Sequence, residues 1–112
     1  GPNDGGVDII CDIRGIKLII QCKNWTNSIG PAIVRELKGV VGEEPGSIGI
    51  LVAPFMDFTD EAIKSARTSR FPIIFTDVSH LQKIILHLAV DSLYRKPRRR
   101  FNFTFYYDLS TH

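Results

Sequence analysis

Two apolar runs, Val7 to Ile13 and Lys17 to Lys23, flank Arg14-Gly15 and Ile16. Both are rich in β-branched residues, and the pair predicts a β-hairpin with Gly15 at positive φ in a tight turn. A loop from Asn24 to Gly30 leads to Pro31, a residue favoured in the first helical turn because its missing N–H is unpaired there anyway. From Ile33, the apolar residues Val34, Leu37, Val40 and Val41 keep a helical period until Gly42 and the "EEPG" that follows. Ser47 to Ala53, "SIGILVA", is a continuous apolar run suited to a strand buried on both faces. Thr59 is the expected N-cap of "DEAIKSARTS", with Asp60 and Glu61 in the positive first turn. "FPIIFTDV" predicts another buried strand, and Ser79 is expected to cap "HLQKIILHLAVDSLY". The order β-β-α-β-α-β-α defines an α/β domain: a mixed sheet that begins with an antiparallel hairpin and is flanked by helices. Farther on, "FNFTFYY" alternates like a strand and suits an added edge strand or an interface element.

A two-residue turn fixes the hairpin register. Ile13 then lies opposite Ile16, paired positions sum to 29, Asp12 faces Lys17, and Asp8 faces Gln21. Side chains alternate between faces, so Asp8, Ile10 and Asp12 share one face with Lys17, Ile19, Gln21 and Lys23. The opposite face carries Val7, Ile9, Cys11, Ile13, Ile16, Leu18, Ile20 and Cys22 and must pack on helices. Cys11 and Cys22 sit about four positions apart on it, roughly 13 Å at ~3.3 Å per residue. That exceeds the ~7 Å reach of a disulfide, and both are expected in the core.

Composition narrows the class without choosing a function. The 112 residues are 44% apolar and 23% charged, which fits one globular domain. No apolar run approaches the ~18 residues of a membrane span, and no basic-then-apolar secretory leader is present. Two cysteines make no disulfide framework, so an intracellular protein is expected, with the compartment open. The net charge is +2, but Arg95, Lys96, Arg98, Arg99 and Arg100 supply five of the fourteen positive charges. The remaining nine face twelve negative charges, eleven of them within residues 1–94, so 1–94 form a slightly acidic core followed by a basic and aromatic extension, 95–112. Such a run suits nucleic-acid contact or a targeting address, and equally a solvated tail.

The chemistry concentrates at one end of the hairpin, where Asp8, Gln21 and Lys23 converge. Asp8, the Gln21 side-chain oxygen and the Cys22 backbone carbonyl are hard donors of the kind Mg²⁺ prefers. A water acidified by such a metal attacks phosphodiesters, and Lys23 would orient it or offset charge on the phosphate. On polarity alone a strand-end ion pair of Asp8 and Lys23, with Gln21 bonded beside them, explains the trio as well. Elsewhere, Arg35 and Glu36 fit a solvated helix face or a contact with the site or DNA, Trp25 packing over the loop or stacking on a base, and Asp77 a cap or turn. No Ser-His-Asp or Cys-His constellation is suggested. His80 and His87, seven apart on the last helix, lack partners at zinc-ligand spacing. The glycines at the start precede a strand rather than a helix, unlike a nucleotide-phosphate loop.

"NDGGVDII", the hairpin and "LIIQCKNW" together resemble the catalytic core of Mrr-like restriction endonucleases, within the PD-(D/E)xK nuclease superfamily. The likeness continues through "VRELKGVV", "GILVAPFMDFTDEAIKSA" and "PIIFTDVSHL", covering roughly residues 3 to 82. Residue by residue, it implies a restriction-endonuclease-like fold with Asp8 as the catalytic acid and Gln21 and Lys23 as the Q-x-K variant of the (E/Q)-x-K triplet. It also implies Mg²⁺-dependent endonucleolytic cleavage of DNA, with Mn²⁺ as a substitute, often within a homodimer, and no small-molecule cofactor. Asp4, Gly5 and Gly6 match the turn that enters the first catalytic strand. Gln21 stands where Glu is more usual, which removes a negative charge from the metal site. A degenerate relative that binds nucleic acid or a protein without cutting is the alternative. Family members commonly carry a helix ahead of the Asp, so a chain starting at Gly1 is expected to be a piece of a longer protein.

Overall fold

The computed structural model describes residues 9–24 and 27–94. Asp8, the stretch Asp4-Gly5-Gly6, Trp25, the basic run Arg95 to Arg100 and the aromatic stretch 101–107 lie outside the described residues.

Strands β1 (Ile9–Ile13) and β2 (Ile16–Cys22) form the hairpin. Arg14 and Gly15 take φ values of 53° and 87°, the left-handed pair of a type I′ turn, whose twist matches that of the flanking strands. The Asp12 carboxylate accepts a hydrogen bond from the Gly15 N–H at 2.9 Å and closes the turn. The observed pairs run from Ile9–Ile20 to Ile13–Ile16, each summing to the expected 29. Asp12 and Lys17 do face each other, but the Lys17 ammonium bonds Glu44 at 2.8 Å instead.

Helix α1 (Pro31–Gly42) crosses to β3 (Ile48–Val52), and α2 (Asp60–Arg67) crosses to β4 (Ile73–Thr76). Pairing is parallel from β2 through β4, giving the order β1-β2-β3-β4. Crossovers between parallel strands are right-handed. Because both steps move the same way across the sheet, α1 and α2 must lie on one face. There Ile33, Val34, Leu37 and Val41 of α1 pack with Ile19, Leu51 and Phe75 of the sheet. Phe75 also stacks on Phe58, with ring centroids 4.0 Å apart. Helix α3 (Val78–Tyr94) covers the other face, where Ile84 and Leu88 meet Leu18, Ile20, Ile50 and Ile74. With helices on both sides, all of β3 and β4 is buried. Among the described residues, no helix is long and apolar enough to cross a membrane.

Three expectations need correction. Cys22 is exposed, not in the core, because it ends β2 beyond the strip that α3 covers. Ile9, at the outer strand, is 46% exposed for a similar reason. Ser79 does not cap α3: the helix starts at Val78, and the Asp77 carboxylate accepts from the His80 N–H at 3.0 Å. Thr59 does cap α2, accepting from the Ala62 N–H at 3.1 Å.

Candidate active site

The carboxyl ends of β2, β3 and β4 share one edge of the sheet, the edge where open α/β sheets place their ligands. Gln21 and Lys23 belong to this rim. Gln21 lies beside Leu51 on β3 and follows Ile19 by two residues, so its side chain faces the layer formed by α1 and α2. It is 2% exposed. On β2 the face that the sequence marks as polar is therefore covered, with Ile19 and Gln21 buried, Lys17 tied to Glu44 and Lys23 half-buried at the rim, while Ile10 and Asp12 on β1 stay exposed.

Burial bears on the residue type at position 21. An ionised carboxylate removed from water is heavily penalised unless a cation or several donors face it, whereas a carboxamide carries no charge to desolvate. Gln21 thus supplies an oxygen donor that tolerates this depth. The backbone groups of β2 alternate in direction, and the Lys23 N–H donates to the Val52 carbonyl at 2.9 Å, toward β3. By that alternation the Cys22 carbonyl points to the β1 side. The described residues thus supply a carboxamide and a backbone carbonyl, two oxygen donors of a hard-cation set, and an ammonium near them that can offset anionic charge. Its one carboxylate, Asp8, lies outside them, and no cluster of three His, Cys, Asp or Glu able to hold a metal occurs among the described residues.

The neighbouring loops are sewn to each other. Ile29 N–H donates to the Asp57 carbonyl and Thr59 N–H to the Ile29 carbonyl, both at 2.9 Å, while Ser28 Oγ donates to Asp57 Oδ1 at 2.6 Å. Between β3 and α2, Pro54–Met56 form a 3-10 turn in which Phe55 and Met56 take φ values of 55° and 58°. Two successive left-handed non-glycine residues cost about 1–3 kcal/mol each and persist only where the surroundings enforce them. Nothing local in 54–58 signals this conformation except Pro54, which ends the strand.

Asp77, Ser79 and His80 meet at the end of β4, an association the sequence reading did not suggest. His80 Nδ1 is 2.7 Å from Asp77 Oδ1, and Ser79 Oγ is 2.8 Å from that oxygen and 3.1 Å from Nδ1. A hydrolytic triad needs the hydroxyl and the carboxylate on opposite ring nitrogens. Here both lie at Nδ1, so the trio is a helix cap. Burial raises the Asp77 carboxyl, but hydrogen bonds from the His80 ring, the Ser79 hydroxyl and the His80 N–H, with the charge of His80, hold it below its ordinary value. Cys11, half-buried, has its thiol pushed up by burial and then by Asp12, so it stays protonated and chemically quiet. Arg35 and Glu36 are both exposed on α1.

Comparison with known proteins agrees with this fold. A mitochondrial protein of Schizosaccharomyces pombe, whose name calls it uncharacterised, is 35% identical over 92 residues, covering 71% of this chain. The chain spans only 37% of that relative's length. No solved structure matches. The family model described as "Restriction endonuclease", the Mrr catalytic domain, matches residues 1–85. With that match over most of its length, and a mixed sheet entered through an antiparallel hairpin, this chain belongs to the Mrr-type restriction endonuclease family and is a nuclease domain by fold.

Proposed function

We propose that this domain hydrolyses DNA phosphodiester bonds endonucleolytically with a divalent metal, using Asp8, Gln21 and Lys23. The observation that carries the reading is the hairpin ladder. Ile9 pairs with Ile20 in an unbroken register, and the sequence's own arithmetic, carried one residue beyond it, would set Asp8 opposite Gln21. Asp8, the Gln21 side-chain oxygen and the Cys22 carbonyl would hold Mg²⁺, or Mn²⁺ in its place. Bound there, the ion would supply Lewis acidity and an acidified water. Lys23, half-buried at the rim, orients the attacking water and offsets the charge that builds on the phosphate. Burial of Gln21 beneath α1 and α2 holds its carboxamide in one place, which the chemistry requires of a ligand.

The partner is DNA, steered in part by Arg95, Lys96, Arg98, Arg99 and Arg100, and the acting unit is a homodimer. The setting is intracellular, and the name of the fission yeast relative points to mitochondria. A second reading, a nuclease fold that binds nucleic acid without cutting, draws on the neutral Gln21 in place of a charged ligand.

Supercoiled plasmid incubated with Mg²⁺ or Mn²⁺ separates the two readings. The wild-type chain should nick it, and Asp8→Ala and Lys23→Ala should not. Equal nicking by all three would leave the proposed site without a role. Binding with steep salt dependence but no nicking would favour the second reading.

A further inference from the structure

Phe55 is 93% exposed, the most complete exposure of any large apolar side chain among the described residues. Its neighbours show that this is not for want of a core: Met56 packs against the α1–α2 layer, and Phe58 is buried against Phe75. Only Phe55 is turned outward, and a left-handed backbone at both Phe55 and Met56 does the turning. The loop is also held fast. Met56 N–H donates to Ala53, Asp57 N–H to Pro54 and Phe58 N–H to Met56, while Ala53 N–H is tied to the Thr76 carbonyl on β4. The ring therefore stands on a rigid base.

Its position gives the ring a use. Cys22 pairs with Val52, so the chain that leaves β3 toward Phe55 rises beside Lys23, on the rim that carries the proposed site. Asp57 ties the same loop to Ser28 and Ile29, beyond the end of β2. An exposed aromatic on the same rim as a lysine proposed to meet phosphate suits the way proteins wedge or stack against bases while a cation holds the backbone.

Resting on the reading of this rim as a DNA-cleaving site, we propose that Phe55 is a wedge that inserts against the base stack of duplex DNA and positions the scissile phosphate. The ring touches bases, not the reacting atoms, so it is a positioning residue.

The test uses the full chain and a labelled duplex carrying 2-aminopurine, without divalent metal so that the strands stay intact. Wild-type protein should raise the 2-aminopurine fluorescence. Phe55→Ala should abolish that rise and weaken binding by roughly tenfold, and Phe55→Trp should restore both. Phe55→Gly is the control for folding: glycine accepts the left-handed backbone, so it should melt higher than wild type and still bind more weakly. Unchanged affinity and fluorescence in Phe55→Ala and Phe55→Gly, with a wild type that nicks plasmid, would overturn the wedge alone. A shift from dimer to monomer in these variants, with affinity per protomer retained, would overturn it in favour of a subunit contact. A wild type that neither binds nor nicks DNA would remove the reading of the site, and the wedge with it.

Discussion

The backbone N–H of Lys23 donates to the carbonyl of Val52 at 2.9 Å, one residue past the last residue of β2. The parallel ladder thus continues to the lysine itself and fixes its Cα while the side chain reaches the rim. A side chain held this way can be removed without disturbing the sheet. Lys23→Ala is expected to lower plasmid cleavage by about 10² or more while changing unfolding stability by about 1 kcal/mol or less. Nicking assays and urea denaturation on the same preparations check this. Activity lost in proportion to stability would make Lys23 a structural residue.

Gln21→Glu tests whether position 21 faces a metal, independently of catalysis. At 2% exposure the introduced carboxylate is desolvated, which raises its folded pKa above the ~4.3 of an unfolded glutamate. The folded chain then holds a proton that the unfolded chain releases, so stability falls as pH rises above ~4.3 and levels off above the raised folded value. The variant should melt progressively lower than wild type from pH 5 to pH 8. Mg²⁺ should reverse the loss, because an ion bound only by the folded state raises its stability. Thermal melts with and without Mg²⁺ measure this directly, and a Q21E variant indifferent to the ion would place Gln21 outside a metal site.

The hairpin was legible in the sequence because its determinants are local. Arg14-Gly15 permits only a short turn, and period-two alternation then fixes each pair from Ile9–Ile20 to Ile13–Ile16. Pro31, Thr59 and the apolar period of α1 are local signals as well. The covering of the polar face was not legible. Lys17, Gln21 and Lys23 share a face with Asp8 and Asp12, and their spacing alone does not tell what packs on it. Yet two right-handed crossovers in one direction bring α1 and α2 over that face and bury Gln21. The exposure of Cys22 likewise depends on how far α3 extends over the sheet, which no residue near Cys22 records. Asp8 and the basic run at 95–100 remain readings of the sequence, outside the described residues.

Gly49 sets how closely α1 approaches the sheet. A Cβ at this position would lie 2.8 Å from Val41 Cγ2, 3.0 Å from Ile73 Cδ1 and 3.1 Å from Leu37 Cγ. All three neighbours are buried, so little room exists for them to give way. Gly49→Ala is expected to cost about 1–3 kcal/mol by overpacking. Val41→Ala should cost stability alone but recover part of the loss in the double variant, since it removes the closest clash. Denaturant midpoints for the four proteins of this cycle give the coupling, and strict additivity would show that the helix simply shifts to accommodate the methyl group.

Asp77 joins the end of β4 to the start of α3, and its contribution should depend on pH. Its carboxylate caps the helix through the His80 N–H and also holds the His80 ring at 2.7 Å. The carboxyl ionises below its ordinary 3.8 in the folded chain, so between the two values the folded state binds fewer protons than the unfolded state. The stabilisation is therefore complete above about pH 4 and disappears as pH falls through the depressed folded value. Asp77→Ala is expected to cost about 1 kcal/mol at pH 7. Asp77→Asn should retain part of the cap, because its oxygen still accepts from the His80 N–H, but lose the acid-dependent component. Urea midpoints for wild type and Asp77→Asn, measured from pH 7 down to pH 2.5, should converge below pH 4. Parallel curves over that range would mean that the ionised carboxylate adds nothing to the cap beyond its shape.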